Sequence, residues 1–175
     1  MNRYVCLLRG INVSGKNKIL MKELVAMFEN QGFGNVESYI QSGNVSFDSE
    51  ETNLTKLEEL ISESIREHFS YEVKSFVRTK AQMRELIDRC PYSFTELKEN
   101  EYLYFSLLHA PRKNDDISLE IRAKTEDEFT IVDDTIYLLC RKGYGNTLLS
   151  NTFFEKKLKT AATTRNLATM LKLSE

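Results

Sequence analysis

The stretch Gly10-Ile11-Asn12-Val13-Ser14-Gly15-Lys16-Asn17 has the G-x-x-x-x-G-K spacing of a phosphate-cradling loop, in which glycines turn backbone N–H groups inward and a lysine reaches the phosphates. The eighth position departs from that pattern: a Ser or Thr hydroxyl ligates magnesium there, and Asn17 offers a carboxamide instead. The chemistry that survives is weaker. Glycine-permitted turns present N–H groups as an anion nest, with Arg9, Lys16 and Lys18 as nearby cations. The plain alternative is a solvated loop in which Asn12 and Asn17 satisfy turns.

Two other stretches carry polar groups at turn positions. Gln41-Ser42-Gly43-Asn44 reads as a hairpin tip, and the side chains of Gln41, Ser42 and Asn44 can meet a base or amide edge or else satisfy the turn itself. Thr163-Thr164-Arg165-Asn166 reads as a helix N-terminus with a threonine cap, where free N–H groups beside the Arg165 fork attract anions. Cys140 precedes Arg141-Lys142, which would favour a thiolate, but it ends an apolar run and is expected to be buried and inert. Asp115-Asp116 and Asp133-Asp134 are expected to mark turns and helix starts rather than acid–base pairs. Tyr102, Tyr104 and Phe105 are expected in a core strand, because the glycine and basic signature of a nucleic-acid-binding sheet is missing. Cys6, Cys90 and Cys140 form no C-x-x-C pair, and His68 and His109 are isolated, so neither a zinc site nor any other cofactor is expected.

Net charge is -2, but it is unevenly distributed. Residues 1–22 hold five bases and no acid, residues 141–172 hold seven bases and one acid, and the stretch between is strongly acidic. Two basic ends form one positive face if the fold unites them, and two ordinary solvated stretches if it does not. With 175 residues, 41% hydrophobic and 29% charged, the chain has the composition of a folded globular protein, and disordered, collagenous and mucin-like classes are excluded. No apolar run suits a membrane span and the N-terminus enters a strand-like pattern at once, so a cytoplasmic protein without a membrane partner is expected.

The elements that must position these residues follow from periodicity. Residues 3–8 read as a strand covered on both faces; Met21, Leu24, Val25, Met27 and Phe28 trace a helix stopped by Gly32 and Gly34. Residues 36–41 and 44–47 read as paired strands around Ser42-Gly43, residues 54–69 as a helix with a Thr55-x-x-Glu58 capping box, and residues 71–78 as a strand. The order is strand, helix, strand, strand, helix, strand, the ferredoxin-like succession. A second capping box, Thr79-x-x-Gln82, opens a helix that Pro91 ends. A strand at 102–108, a helix at 111–123, a hairpin from 129–132 and 136–140, and helices at 152–158 and 165–173 repeat the succession. The expected class is α+β, with two packed ferredoxin-like subdomains of βαββα type, residues 1–78 and 79–175, each with an antiparallel sheet, and helices closing the C-terminus. The competing architecture is a single mixed sheet with helices on one face.

The runs Leu7 to Lys18, Tyr39 to Val45, and Thr164-Arg165-Asn166 with Lys172-Leu173 resemble the bacterial family of domain of unknown function 1697 over essentially the whole chain. Ser14 stands where a second glycine is common, and Leu167 where tryptophan is frequent. The resemblance implies a two-part α+β fold and no established activity. From the residues themselves, the leading expectation is a module in which Arg9 to Lys18, the hairpin tip and Arg165-Asn166 converge on a phosphate-bearing ligand, a nucleotide or nucleic acid. The alternatives are a phosphoryl- or nucleotide-transfer enzyme using Lys16 with magnesium, and a protein-interaction module whose motifs only lock the two halves together. The oligomeric state cannot be read from the sequence.

Overall fold

A computed structural model describes residues 1–110 and 125–175. The helix expected at 111–123, and Asp115-Asp116 within it, lie outside the described residues. The chain divides into two compact units, Met1–Arg84 with Glu175, and Glu85–Ser174.

The first unit begins with β1 (Asn2–Leu8), whose residues Tyr4 to Leu8 are all buried, as an unbroken apolar run in a central strand requires. Then follow α1 (Met21–Asn30), β2 (Gly34–Tyr39), β3 (Asn44–Ser49), α2 (Leu54–Phe69) and β4 (Ser75–Thr79). The sheet order is β2-β3-β1-β4, and every pairing is antiparallel. Leu24, Met27 and Phe28 on α1 and Leu57, Ile61 and Ile65 on α2 pack with Tyr4, Cys6, Leu8, Val45, Phe47 and Val77 into one core. Rings of Phe28, Phe33 and Phe47 meet there with centroids 4.6 to 5.6 Å apart.

Helix α3 (Lys80–Asp88) opens on the expected capping box: Gln82 N–H donates to Thr79 Oγ1 at 3.1 Å, and Thr79 N–H to Gln82 Oε1 at 2.8 Å. The other predicted box does not form. α2 starts one residue before Thr55, so Asn53 becomes the cap, accepting from Lys56 N–H at 3.2 Å. Glu58 turns instead to the edge of β4, where it accepts from Val77 N–H at 2.8 Å and lies 3.6 Å from Arg78. A helix carboxylate and Ser62, which accepts from Ser75 N–H, thereby cover amides that an edge strand leaves open.

The second unit contains β5 (Tyr102–Leu108), β6 (Glu128–Val132), β7 (Thr135–Cys140), a 3-10 turn at Tyr144–Asn146, α4 (Asn151–Leu158), β8 (Ala162–Asn166) and α5 (Leu167–Ser174). Its sheet order is β6-β7-β5-β8, again wholly antiparallel. Leu108, Ile136, Leu138, Cys140, Phe154 and Leu158 are buried in its core. The expected helix at Arg165 is corrected here: residues 162–166 are a strand, paired with β5 from Tyr104–Asn166 to Leu108–Ala162. The β-branched pair Thr163-Thr164 suits a pleated surface and carried that signal. Two antiparallel sheets replace the single mixed sheet considered above.

Candidate functional site

In the first unit, strand pairing brings several termini to one end of the sheet. Leu7 pairs with Asn44 and Leu8 with Ser75, so the loop after β1, the tip before β3 and Lys74 before β4 emerge together. Leu8 N–H donates to Gly43 O at 2.8 Å and Arg9 N–H to Lys74 O at 2.9 Å, which seals that end.

The loop itself is a small pinned hairpin. Lys16 N–H donates to Val13 O at 3.0 Å across Ser14 (φ 51°) and Gly15 (φ 75°), whose positive φ values are those of a type I′ turn. Asn12 N–H donates to Asn17 O, and Asn17 Nδ2 donates to Gly10 O at 3.1 Å. The phosphate-loop wrap is therefore not formed: the Asn12 and Lys16 amides bond within the loop, α1 begins only at Met21, and the sheet is antiparallel rather than the parallel type such loops belong to. Magnesium-assisted phosphoryl chemistry on this motif loses its structural basis.

Asn12 is the keystone of this end. Its Nδ2 donates to Ile19 O and to Gln41 O, each at 2.9 Å, and its Oδ1 accepts from Ile19 N–H at 2.9 Å, joining the loop, the entry to α1 and the hairpin tip. Ile11, fully buried, packs under the tip so closely that a Cβ on Gly43 would lie 2.7 Å from its Cδ1 and 2.9 Å from Leu8 Cβ. Gly43 also has φ 76°, so only glycine meets both demands. The tip spans four residues, Ile40 to Gly43, because β2 ends at Tyr39, two residues earlier than its pattern predicts. Asn44 is buried and donates to Tyr39 O and Ser42 Oγ, so it satisfies the turn.

Of the predicted site residues in this unit, Lys16, Lys18 and Gln41 are exposed and Arg9, Asn17 and Ser42 half-buried, while Asn12, Asn17 and Asn44 spend their carboxamides internally. Lys74, exposed beside Arg9, has no motif around it and is recruited only by the pairing of β1 with β4. Arg3, counted among the basic N-terminal residues, stands at the opposite end of β1. There it pairs with Glu37 at 2.9 Å and Asp48 at 3.3 Å. The Asn35 carboxamide, with Arg3, holds the Asp48 carboxyl below its ordinary range. Backbone strain concentrates at the loop end. Among the described residues, four of the eight non-glycine residues with positive φ, Asn12, Ser14, Asn17 and Ile40, lie on its loop and tip. A β-branched residue in that region, as at Ile40, costs about 1–2 kcal/mol.

Arg165 and Asn166 belong to the second unit. Arg165 is 8% exposed, and its Nη1 donates to Thr163 Oγ1 and Thr164 O at 2.9 Å each. Asn166, rather than a threonine, caps the last helix by accepting from Thr169 N–H at 2.8 Å. The same unit holds a polar cluster that no motif announced: Asn151 Oδ1 accepts from Thr164 Oγ1 at 2.6 Å and Ser106 Oγ at 3.2 Å, while the Tyr144 hydroxyl accepts from Asn151 N–H at 2.9 Å. Tyr104 accepts from Tyr144 N–H and Phe105 is buried, so these two serve the core, whereas Tyr102, at the start of β5, is exposed and does not. Cys140 is fully buried, and burial, with Asp127 nearby, pushes its thiol up to about 11. Asp133 (φ 52°) and Asp134 make the β6–β7 turn, where Asp133 pairs with Arg89 at 2.6 Å. Among the described residues no group of three or more His, Cys, Asp or Glu is placed to hold a metal, and no helix is long and apolar enough to cross a membrane.

The family model for a protein of unknown function, DUF1697, matches residues 1–137, the whole pinned loop and hairpin included. The chain belongs to this family. A solved structure of a conserved bacterial protein from Streptococcus pneumoniae is similar to this DUF1697 member over 99% of this chain and 97% of its own. The identity is 22% and the TM-score 0.68, a likeness of fold. No protein of curated function matches the chain.

Proposed function

We propose that the loop end of the first sheet binds a phosphate-bearing ligand, a nucleotide or nucleic acid, through Arg9, Lys16, Lys18 and Lys74, with Ser14, Gln41 and Ser42 as polar neighbours. The observation that carries this reading is the double anchorage of an exposed basic loop: Asn12 ties it to the hairpin tip and to the entry of α1, and the Arg9 N–H ties it to Lys74. Cations held on a rigid frame lose little freedom on binding, which is what a preorganised anion site needs. The internal bonds of Arg165 and Asn166 argue for a structural part, and the reading leaves both out.

The test is fluorescence anisotropy of labelled RNA, DNA and nucleotides at several salt concentrations. Binding that weakens with salt and drops about tenfold or more in the Lys16→Ala/Lys18→Ala variant supports the reading; flat titrations at low salt remove it. The inward-turned carboxamides of Asn12, Asn17 and Asn44 favour a second reading, an interaction module whose motifs only lock the sheet end. In that case Arg9→Ala lowers the melting temperature and leaves nucleic-acid titrations unchanged.

A further inference from the structure

Three large aliphatic side chains are exposed at the same end of the first unit: Val13 (55%), Leu20 (67%) and Ile40 (50%). Each is the immediate chain neighbour of a residue in the Asn12 hydrogen-bonded junction. Val13 follows Asn12, Leu20 follows Ile19, and Ile40 precedes Gln41, whose carbonyl accepts from Asn12. Met1 and Leu60 are also exposed in this unit, but neither adjoins that junction, and three aliphatic side chains turned to water around one pinned frame call for an occupant. Ile40 is held there with φ 50°, a conformation that disfavours a β-branched residue and that glycine or asparagine would adopt readily.

The surroundings select the occupant. Lys16 and Lys18 are exposed on the adjoining turn, and residues 1–22 contain no acid, so the partner is anionic. The exposed Ser14 and Gln41 lie on the same two tips as Val13 and Ile40, and a bilayer would strand their polar groups, whereas a nucleic-acid groove offers base-edge and sugar acceptors. None of the three apolar side chains is aromatic, which disfavours a stacking platform for single strands. Aliphatic wedges beside Lys, Arg and Gln are the equipment of proteins that open a base step of a duplex from the minor groove.

We infer that the phosphate-bearing ligand is a nucleic-acid duplex, engaged at its minor groove, with Ile40 as an apolar wedge between base pairs and Lys16 and Lys18 on the flanking phosphates. This rests on the phosphate-binding reading and adds the form of the ligand and a residue that neutralises no charge. The wedge is retained at a cost to the fold, so Ile40→Gly separates binding from stability.

The experiment titrates wild type, Ile40→Gly and Lys16→Ala/Lys18→Ala against a labelled duplex of about 20 base pairs, the matching single strand, a fluorescent mononucleotide and anionic phospholipid vesicles. Duplex is expected to bind most tightly. Ile40→Gly is expected to weaken duplex binding about tenfold, with an unchanged salt slope and an unchanged or higher melting temperature. The lysine variant is expected to lower the slope by about 1.8, two phosphate contacts' worth. Duplex affinity unaltered by Ile40→Gly, or a single strand bound as tightly as the duplex, overturns the wedge while leaving phosphate binding intact. Vesicle binding without duplex binding overturns the choice of partner, and no binding to any phosphate-bearing probe overturns the underlying reading as well.

Discussion

The two units share one plan down to individual hydrogen bonds, and they part company where the strands end. In the first, Leu8 N–H donates to Gly43 O at 2.8 Å and Arg9 N–H to Lys74 O at 2.9 Å; in the second, Leu108 N–H donates to Asp134 O at 2.7 Å and His109 N–H to Ala161 O at 2.9 Å. The edge strands β4 and β8 each place an arginine one residue before a helix cap. Arg78 Nη1 donates to Val77 O at 2.8 Å and Arg165 Nη1 to Thr164 O at 2.9 Å, with Thr79 and Asn166 capping the helices that follow. Glu58 on α2 covers an edge amide of β4, and Glu155 on α4 covers the Ala162 amide of β8 at 2.9 Å. Registers equate Tyr4 with Tyr104 and Leu7-Leu8 with Leu107-Leu108.

Against that background the differences stand out. Four residues, Ile40 to Gly43, close the first hairpin beside an exposed basic loop, whereas Asp133 and Asp134 close the second. Under the sheets, Cys6 and Val77 sit in an apolar core where their counterparts Ser106 and Thr164 share Asn151. The plan is a means of folding used twice, and the units differ in the turns that the plan leaves open. Arg165, which looks like a ligand-binding residue in isolation, looks structural beside its counterpart Arg78.

Five substitutions break or sharpen this comparison. Gly43→Ala combines overpacking against Ile11 and Leu8 with a disfavoured φ and is expected to lose about 3 kcal/mol. Asp134→Ala, at the equivalent carbonyl, is expected to lose about 1 kcal/mol or less in the same urea titrations. Equal losses would mean that the hairpin ends are interchangeable. Asn12→Ala removes three hydrogen bonds that pin the loop to the hairpin tip and to the entry of α1, and about 2 kcal/mol is expected by chemical denaturation, with faster amide exchange at Gln41 and Ile19. Thr79→Ala and Asn166→Ala each remove one cap of equivalent position, and thermal melts are expected to show similar losses of about 1 kcal/mol. A cost confined to one of them would break the equivalence.

Much of the fold was legible in the sequence. The apolar run of β1, the helical stripes of α1 and α2, and the turn residues around Gly43 and Asp133-Asp134 place nearly every element of the first unit and both hairpins. What failed was local chemistry with two competing uses. Thr55-x-x-Glu58 fits a capping box, but Glu58 gains more by covering an edge strand that lies far away in sequence. Thr163-Thr164 fits a cap or a strand, and pairing with β5 decided for the strand. The repeat was visible as a pattern but not as residue identity. The separation between equivalent residues changes from Tyr4 and Tyr104 to Phe47 and Leu138 to Arg78 and Arg165, so no fixed period aligns them. At the candidate site, the loop and tip were marked by glycine, asparagine and lysine. Lys74 and the exposed aliphatic cluster were not, because strand register and the Asn12 junction assemble them from distant segments.

The most direct test of the central claim, that the loop end of the first sheet is the binding surface, is a residue-resolved NMR titration of the 15N-labelled protein with a short duplex. Amide shifts confined to residues 9–20, 40–43 and 74 are predicted, with Arg165 and Asn166 unmoved. Shifts centred on the second unit, or none at saturating duplex, would contradict it.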